Sequence, residues 1–263
     1  KAFFSTSLNK RQISKKYNRW SVAYFKGSDF TKDLGRANEI KNLPGRFFAD
    51  PFVIKYEDRT ICFVEDFFFS ESKGKISAIE IFETGYKFLD IVLEEDFHLS
   101  FPYIFIENGN VFMIPETSET NEIRLYQATN FPIEWKLRKV LMKEVSAVDT
   151  IVFKKEKLWF MLTNICSSGA DDHSSELHIF YSESLDSMDW RPIKKSNPVI
   201  FDSFKARNGG FFELNNKKYR VNQVQDFSHY GKCFAINIII DISPDNYKEE
   251  TVLEINPNYL EDI

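Results

Sequence analysis

Four stretches of this chain repeat one arrangement of apolar and polar positions: "DPFVIKYEDRTICFVE" (50–65), "FPYIFIENGNVFMIPE" (101–116), "DTIVFKKEKLWFMLTN" (149–164) and "NGGFFELNNKKYRVNQ" (208–223). Each begins with an apolar run, turns through a short polar segment such as "IENGN" or "ELNNKK", and returns as a second apolar run. Short apolar runs bounded by turn residues read as strands, so each stretch is a β-hairpin. The first and last residues lie 15 positions apart in all four, which marks a true internal repeat. After a loop of variable length comes a third strand: "GKISAIEIF", "EIRLYQA", "ELHIFYS" and "KCFAINIII". The polar–apolar alternation of "KISAIEI" and "EIRLYQ" suits a half-buried outer strand. An aromatic followed by a basic residue comes next: Tyr86-Lys87, Trp135-Lys136, Trp190-Arg191 and Tyr247-Lys248. A fourth strand, for example "FLDIVLEE" or "EETVLEI", completes each unit.

Four strands repeated at a period of roughly 50 residues or more describe the blades of a β-propeller. The blades fall at approximately 46–93, 98–142, 146–195 and 205–256 within one domain spanning 1–263. The aromatic–basic pairs read as packing devices between blades. A further strand, "NRWSVAYF" (18–25), is expected to join the C-terminal "LEINPNYLEDI" in a fifth, ring-closing blade. The expected fold is therefore all-β, a five-bladed propeller. Only "SDFTKDLGRANEIKNL" (28–43) could hold a short helix, and a structured loop suits it equally.

Composition narrows the function classes. The 27 Phe, 11 Tyr and 4 Trp fit large sheet cores. A formal net charge of -5 argues against nucleic acid as a partner, because phosphate binding needs a basic face. Basic residues concentrate in the first twenty positions ("NKRQISKKYNR"), where 1–17 read as a linker or solvated edge. Cys62, Cys166 and Cys233 are widely spaced, without a metal-type CxxC, and read as free thiols of a reducing compartment. No apolar run approaches the roughly 18–20 residues that cross a bilayer, so a cytoplasmic location is expected.

The candidate chemistry sits at the hairpin ends. In a propeller the innermost strands line a central channel, and one mouth collects the start of the first strand and the end of the second from every blade. The repeats deliver Asp50 with Glu65, Phe101 with Glu116, Asp149 with Asn164, and Asn208 with Gln223. Polar residues at the ends of such apolar strands are costly unless paired or facing a cavity. His98 and Ser100 precede the second hairpin, Arg207 precedes the fourth, Arg220 lies within it, and Gln225, Asp226, His229 and Tyr230 follow it. Carboxylates, Arg, Asn, Gln, His and aromatics around one cavity suit a sugar. Asp50, Glu65, Glu116 and Asp149 are the candidate catalytic residues. His98, Asn164, Arg207, Asn208, Arg220, Gln223, Asp226 and Tyr230 are the candidate binding residues. The acidic run "GADDHSSELH" (169–178) matches no metal-ligand spacing and reads as a solvated loop on the blade rim. No phosphate-cradling glycine loop or GxSxG nucleophile motif occurs, and no cofactor is expected.

The segments "FFADPFV", "FVED", "GKIS", "FHLSFPYIF", "MIPET", "FPIEW", "VDTIVF", "ELHIFY", "ARNGG", "YRVNQ" and "YGK" together resemble the N-terminal domain of glucosamine inositolphosphorylceramide transferases and related bacterial surface-glycan proteins. That domain in turn looks like the five-bladed propeller of glycoside hydrolase family 43. The second likeness implies Asp50 as a base and Asp149 as an acid-tuning carboxylate. Where that family places its general acid, this chain writes "ARNGG", with Arg207 and Asn208. Arginine cannot deliver a proton at neutral pH, whereas it can stabilise an anionic leaving group. The resemblance therefore implies glycosyl transfer from a phosphorylated sugar donor in bacterial surface-glycan biosynthesis, with a further domain in the full-length protein. A family 43-like furanosidase, with Glu116 or Glu65 as acid, and a non-catalytic glycan-binding module are the alternatives.

Overall fold

The computed structural model describes residues 20–27, 37–169, 173–225 and 233–255. Four antiparallel sheets follow one another along the chain, each laid out in sequence order. Blade 1 comprises β3 (Arg46–Tyr56), β4 (Arg59–Phe68), β5 (Lys73–Phe82) and β6 (Gly85–Leu93). Blade 2 comprises β7 (Ser100–Glu107), β8 (Asn110–Glu116), β9 (Glu122–Asn130) and β10 (Glu134–Lys143). Blade 3 comprises β11 (Ala147–Lys155), β12 (Leu158–Ile165), β13 (Glu176–Ser182) and β14 (Arg191–Pro192), with β15 (Ile200–Phe201) pairing back onto β13. Blade 4 comprises β16 (Asn208–Leu214), β17 (Lys217–Val224), β18 (Cys233–Ile242) and β19 (Tyr247–Ile255). The arrangement is a β-propeller.

The expected fifth blade is not found among the described residues. Strand β1 (Val22–Tyr24) pairs with β2 (Asn38–Ile40), while Leu253–Ile255 of the C-terminal segment end β19. Residues 1–19 and 256–263, which carry the rest of that expectation, lie outside the described residues. The helix-or-loop candidate 28–43 divides similarly: 38–40 is strand β2 and 28–36 fall outside. Among the described residues helical structure is limited to a 3-10 turn at Ser118–Thr120, and no helix is long and apolar enough to cross a membrane.

Two-residue turns close all four inner hairpins. Tyr56 pairs with Arg59, Glu107 with Asn110, Lys155 with Leu158 and Leu214 with Lys217. Asn108-Gly109 and Asn215-Asn216 take positive φ at both positions, the geometry that matches the strand twist.

Alternating side chains explain how one strand serves two neighbours. In β4, Ile61 and Phe63 pack toward blade 2 with Leu99, Met113 and Tyr126, while Cys62 and Val64 pack against Val22 and Ile40 of β1–β2. Burial on both faces turns the strand into the continuous apolar run "ICFV". Trp135 of blade 2 meets Phe63 of blade 1 edge-on at 5.6 Å. Trp190 and Tyr247 are buried in the cluster joining blades 2 to 4. Phe153 of blade 3 stacks on Phe211 of blade 4 at 4.5 Å. Tyr103 donates across from blade 2 to the Val152 carbonyl at 2.6 Å.

Candidate functional site

A bulge interrupts the first hairpin of every blade near its start. Ala49 pairs with Glu65, Ser100 with Glu116 and Val148 with Asn164; the next pairs are Phe52–Phe63, Tyr103–Ile114 and Ile151–Leu162. Two residues on the inner strand thus face one on its partner, and the first of the two sits at positive φ: Asp50 (46°), Phe101 (43°) and Asp149 (51°). A bulge of this kind re-aims a side chain that regular pleating would send elsewhere. Non-glycine residues at positive φ are strained and concentrate at functional sites. In blade 4 the shift comes between Asn208 and Gly210, and glycine there takes φ of 152°. The sequence repeat aligned Asp50 with Glu65 as partners. In the ladder the partner of Glu65 is Ala49, and Asp50 lies on the bulge.

The bulge residues Asp50 and Asp149 and the strand ends Glu65, Ser100 and Glu116 face one cavity of about 280 Å³, while Phe101 on the blade 2 bulge is buried against Phe52. Among the described residues it is lined by Asp50, Glu65, Glu116, Asp149, Arg207, His98 and Ser100, and by the aromatic side chains of Trp20, Phe47 and Phe67. Four carboxylates from three blades therefore meet one guanidinium from the approach to blade 4. Asp50 Oδ2 accepts the Phe101 N–H at 3.2 Å, tying blade 1 to blade 2. Glu116 Oε1 accepts the Ser118 hydroxyl at 2.8 Å. Arg207 Nε donates to Asp149 Oδ2 at 2.7 Å.

Crowding like charges in a buried pocket favours protonation. Burial, then the neighbouring Asp149 charge, pushes the Asp50 carboxyl up to about 6, against the Phe101 N–H and Arg207. Burial and Asp149 likewise push Glu116 up to about 7. Glu65 is raised well above the ordinary range by burial, then by Asp50 and Glu116. Asp149 is raised by burial, with the Arg207 guanidinium acting against it. Asp50 and Glu116, at about 6 and about 7, thus lie in the range where one carboxyl can take and another give a proton near neutrality.

Not every candidate lines this cavity. Asn164 Nδ2 donates to the carbonyls of Glu176 and Ala206, both at 2.9 Å, and its Oδ1 accepts the Asn208 N–H at 2.9 Å. Asn208 Nδ2 in turn donates to the carbonyls of Asp149 (2.8 Å) and Leu162 (3.1 Å). Both amides are fully buried and staple blade 3 to blade 4, with the bulge at Asp149 as one of the points held. Arg220, also fully buried, forks onto Glu249 and donates to the Lys205 carbonyl at 2.8 Å. Gln223 donates through Nε2 to the Asn208 carbonyl at 2.9 Å. These four side chains brace the wall that carries Asp149 and Arg207. Asp226, His229 and Tyr230 lie outside the described residues.

Of the acidic run 169–178, residues 170–172 lie outside the described residues, and Glu176 opens strand β13. Glu176 is buried and accepts from the backbone of Ser167 and Ser168 and, at 3.0 Å, faces His178 Nε2. Those hydrogen bonds hold its pKa below the ordinary carboxylate range, although burial works against them. Among the described residues no cluster of three or more His, Cys, Asp or Glu side chains suits a metal ion.

The aromatic wall was not foreseen. Phe47 and Phe67 are direct ladder partners two positions beyond the Ala49–Glu65 pair, and their rings stack at 5.0 Å. The signal was present in "FFAD" and "EDFF": an aromatic three residues before one acid and another two residues after its counterpart.

The family model for the N-terminal domain of glucosamine inositolphosphorylceramide transferase 1 matches residues 35–258. The transferase of that name from Arabidopsis thaliana is 36% identical over 215 residues, covering 80% of this chain and 28% of the plant protein. The chain thus spans less than a third of the length of the curated relatives it matches. Among solved structures, an exo-β-1,3-galactanase from Clostridium thermocellum is similar at a TM-score of 0.60 and 12% identity, over 88% of this chain and 58% of that one. A family 117 glycoside hydrolase from Zobellia galactanivorans is similar at a TM-score of 0.60 and 8% identity, over 90% of this chain and 75% of that one. At such identities the likeness is one of fold. The chain belongs to the family of the glucosamine inositolphosphorylceramide transferase 1 N-terminal domain.

Proposed function

We propose that the central cavity binds a sugar and that its carboxylates act as acid and base in glycosyl transfer. One observation carries this reading: Asp50 and Glu116 come from different blades into one cavity, with pKa values raised to about 6 and about 7. At neutral pH Glu116 retains a proton for the glycosidic oxygen. Asp50, largely ionised, takes a proton from the attacking hydroxyl or stabilises the positive charge that develops on the sugar. The Asp149–Arg207 pair sets the field in which both titrate. Trp20, Phe47 and Phe67 offer apolar faces to the sugar ring, opposite the polar groups that orient its hydroxyls. Glu116 thereby supplies the proton that Arg207 cannot. Surface-glycan assembly in a bacterium, alongside a further domain of the full-length protein, is the setting the resemblance supports.

A second reading uses a phosphorylated donor held by Arg207. The place of the guanidinium in the cavity wall favours it, and the incoming phosphate must then displace the Asp149 carboxylate. Turnover assays distinguish the two. The purified chain is incubated with aryl glycosides, furanosides included, and separately with nucleotide sugars plus an alcohol acceptor. Acid–base transfer predicts release from aryl glycosides that falls about 100-fold or more in Asp50→Asn and in Glu116→Gln. Turnover restricted to nucleotide sugars and lost in Arg207→Ala supports the second reading. Turnover unchanged in all three variants overturns both.

A further inference from the structure

His98 enters the cavity from the segment before β7, and blade 1 holds its ring through a hydrogen bond at Nδ1 and a longer polar contact at Nε2. The Gly74 N–H donates to His98 Nδ1 at 2.9 Å, and the Gly74 carbonyl accepts the Leu99 N–H at 3.0 Å. The start of β5 therefore clamps residues 98 and 99 through its own backbone. Past the Cε1 edge of the ring, Nε2 stands 3.5 Å from Glu65 Oε1. The contact leaves no room for a side chain at position 74. A Cβ there would sit 2.4 Å from the Leu99 carbonyl oxygen, 2.8 Å from His98 Cε1 and 3.0 Å from Glu65 Oε1.

A backbone N–H pointing at Nδ1 requires a lone pair there. The ring proton of neutral His98 consequently resides on Nε2, the nitrogen that faces Glu65. Protonating His98 would set an N–H against the Gly74 N–H, so the fold selects one neutral tautomer. The charged groups around the ring are Glu65 on one side and Glu119, whose Oε2 accepts the His98 backbone N–H at 3.3 Å. The Phe67 ring packs beside it, with centroids 6.0 Å apart. Asp50, Glu116, Asp149 and Arg207 line the same cavity. Burial lowers the pKa of His98, with Glu119 acting in the opposite sense, consistent with a neutral ring.

We propose that His98 is a positioning residue for Glu65: Gly74 locks its neutral Nε2–H tautomer, and that N–H aims the Glu65 carboxyl into the cavity. With its Nδ1 lone pair held by the Gly74 N–H, His98 is then not a proton carrier. Glu65, oriented by His98, presents its other oxygen to the ligand. This deepens the sugar-site reading by assigning Glu65 to ligand orientation, and its test needs no sugar, so its failure leaves that reading standing.

The test uses the whole chain labelled with ¹⁵N and ¹³C. Long-range ¹H–¹⁵N correlations report the tautomer of His98, assigned by the signals lost in His98→Gln. The expected result is protonation at Nε2 alone from pH 6 to 8; an Nδ1–H tautomer or an ordinary titration near 6.5 overturns the proposal. Two substitutions separate positioning from clamping. Asparagine can place its carbonyl where Nδ1 lies and keep the Gly74 contact, but its side chain ends short of Glu65. Glutamine reaches Glu65 with its amide and gives up the clamp. In His98→Asn the ¹³C titration midpoint of Glu65 is expected to rise by about half a unit or more, since a donor to the carboxylate has gone, and His98→Gln is expected to restore it. A Glu65 midpoint unmoved or lowered in His98→Asn would reduce His98 to a structural clamp and refute the assignment.

Discussion

Asp149 on the bulge of blade 3 and Arg207 before blade 4 form an ion pair of 2.7 Å between side chains only 2% and 13% exposed. The pair joins the two blades at the cavity wall and partly offsets the cost of burying a carboxylate there. Removing one partner of a buried pair leaves the other unpaired, which typically costs about 3 kcal/mol. Arg207→Ala is therefore expected to lose stability of that order in urea unfolding at pH 7, and to raise the Asp149 pKa further. Asp149→Asn in the same background should recover much of the loss. A single variant as stable as the parent would show that the pair is not held in solution.

The cavity carboxylates predict an unusual pH dependence. Asp50 and Glu116 have raised values in the fold, about 6 and about 7, against ordinary values of 3.8 and 4.5. Between those limits the folded chain binds more protons than the unfolded chain, so their contribution to stability declines as pH rises. Carboxylates lowered by ion pairs, such as Glu80 and Asp186, act oppositely but below about pH 4.5. The melting temperature is expected to fall between pH 5 and about pH 7.5, and to fall less in Glu116→Gln. Calorimetry across that range checks the sign.

The buried amides Asn164 and Asn208 make a staple whose loss should be felt by the whole ring. Asn208→Ala leaves the carbonyls of Asp149 and Leu162 without that donor. An unsatisfied buried group costs about 1–3 kcal/mol, so a loss of at least about 2 kcal/mol is expected in denaturant unfolding. The Asn208 N–H that Asn164 Oδ1 accepts belongs to the backbone and survives Asn208→Ala, so losing that bond is expected to add to the cost of Asn164→Ala alone.

The blades were legible because each is a local pattern: hairpins, turns and alternating strands are written in contiguous residues. The constant 15-residue span also identified the right strand ends, and Asp50, Glu65, Glu116 and Asp149 do share one cavity. The exact partners were not legible, since a bulge inserts a residue on the inner strand without changing the apolar pattern. Asn164, Asn208 and Arg220 look in sequence like any polar residue at a strand end. Only the position of the neighbouring blade shows that the amides of Asn164 and Asn208 are taken up by its backbone, and only the fold of blade 4 shows Arg220 enclosed by Lys205 and Glu249. The fifth blade was inferred from short strands at the two termini, and the pairing of β1 with β2 on blade 1 is a long-range choice that no local pattern dictates.

The most direct test of the sugar site is a thermal-shift titration of the purified chain with methyl glycosides and neutral oligosaccharides, beside nucleotide sugars and sugar phosphates. A ligand selective for the folded chain raises its melting temperature according to concentration over Kd. At least one glycoside series is expected to raise it, and Phe67→Ala, which removes part of the aromatic wall, should weaken that binding about fivefold or more. Absence of a shift with every neutral and phosphorylated sugar, or a shift equal in the parent and in Phe67→Ala, would contradict a sugar held in this cavity.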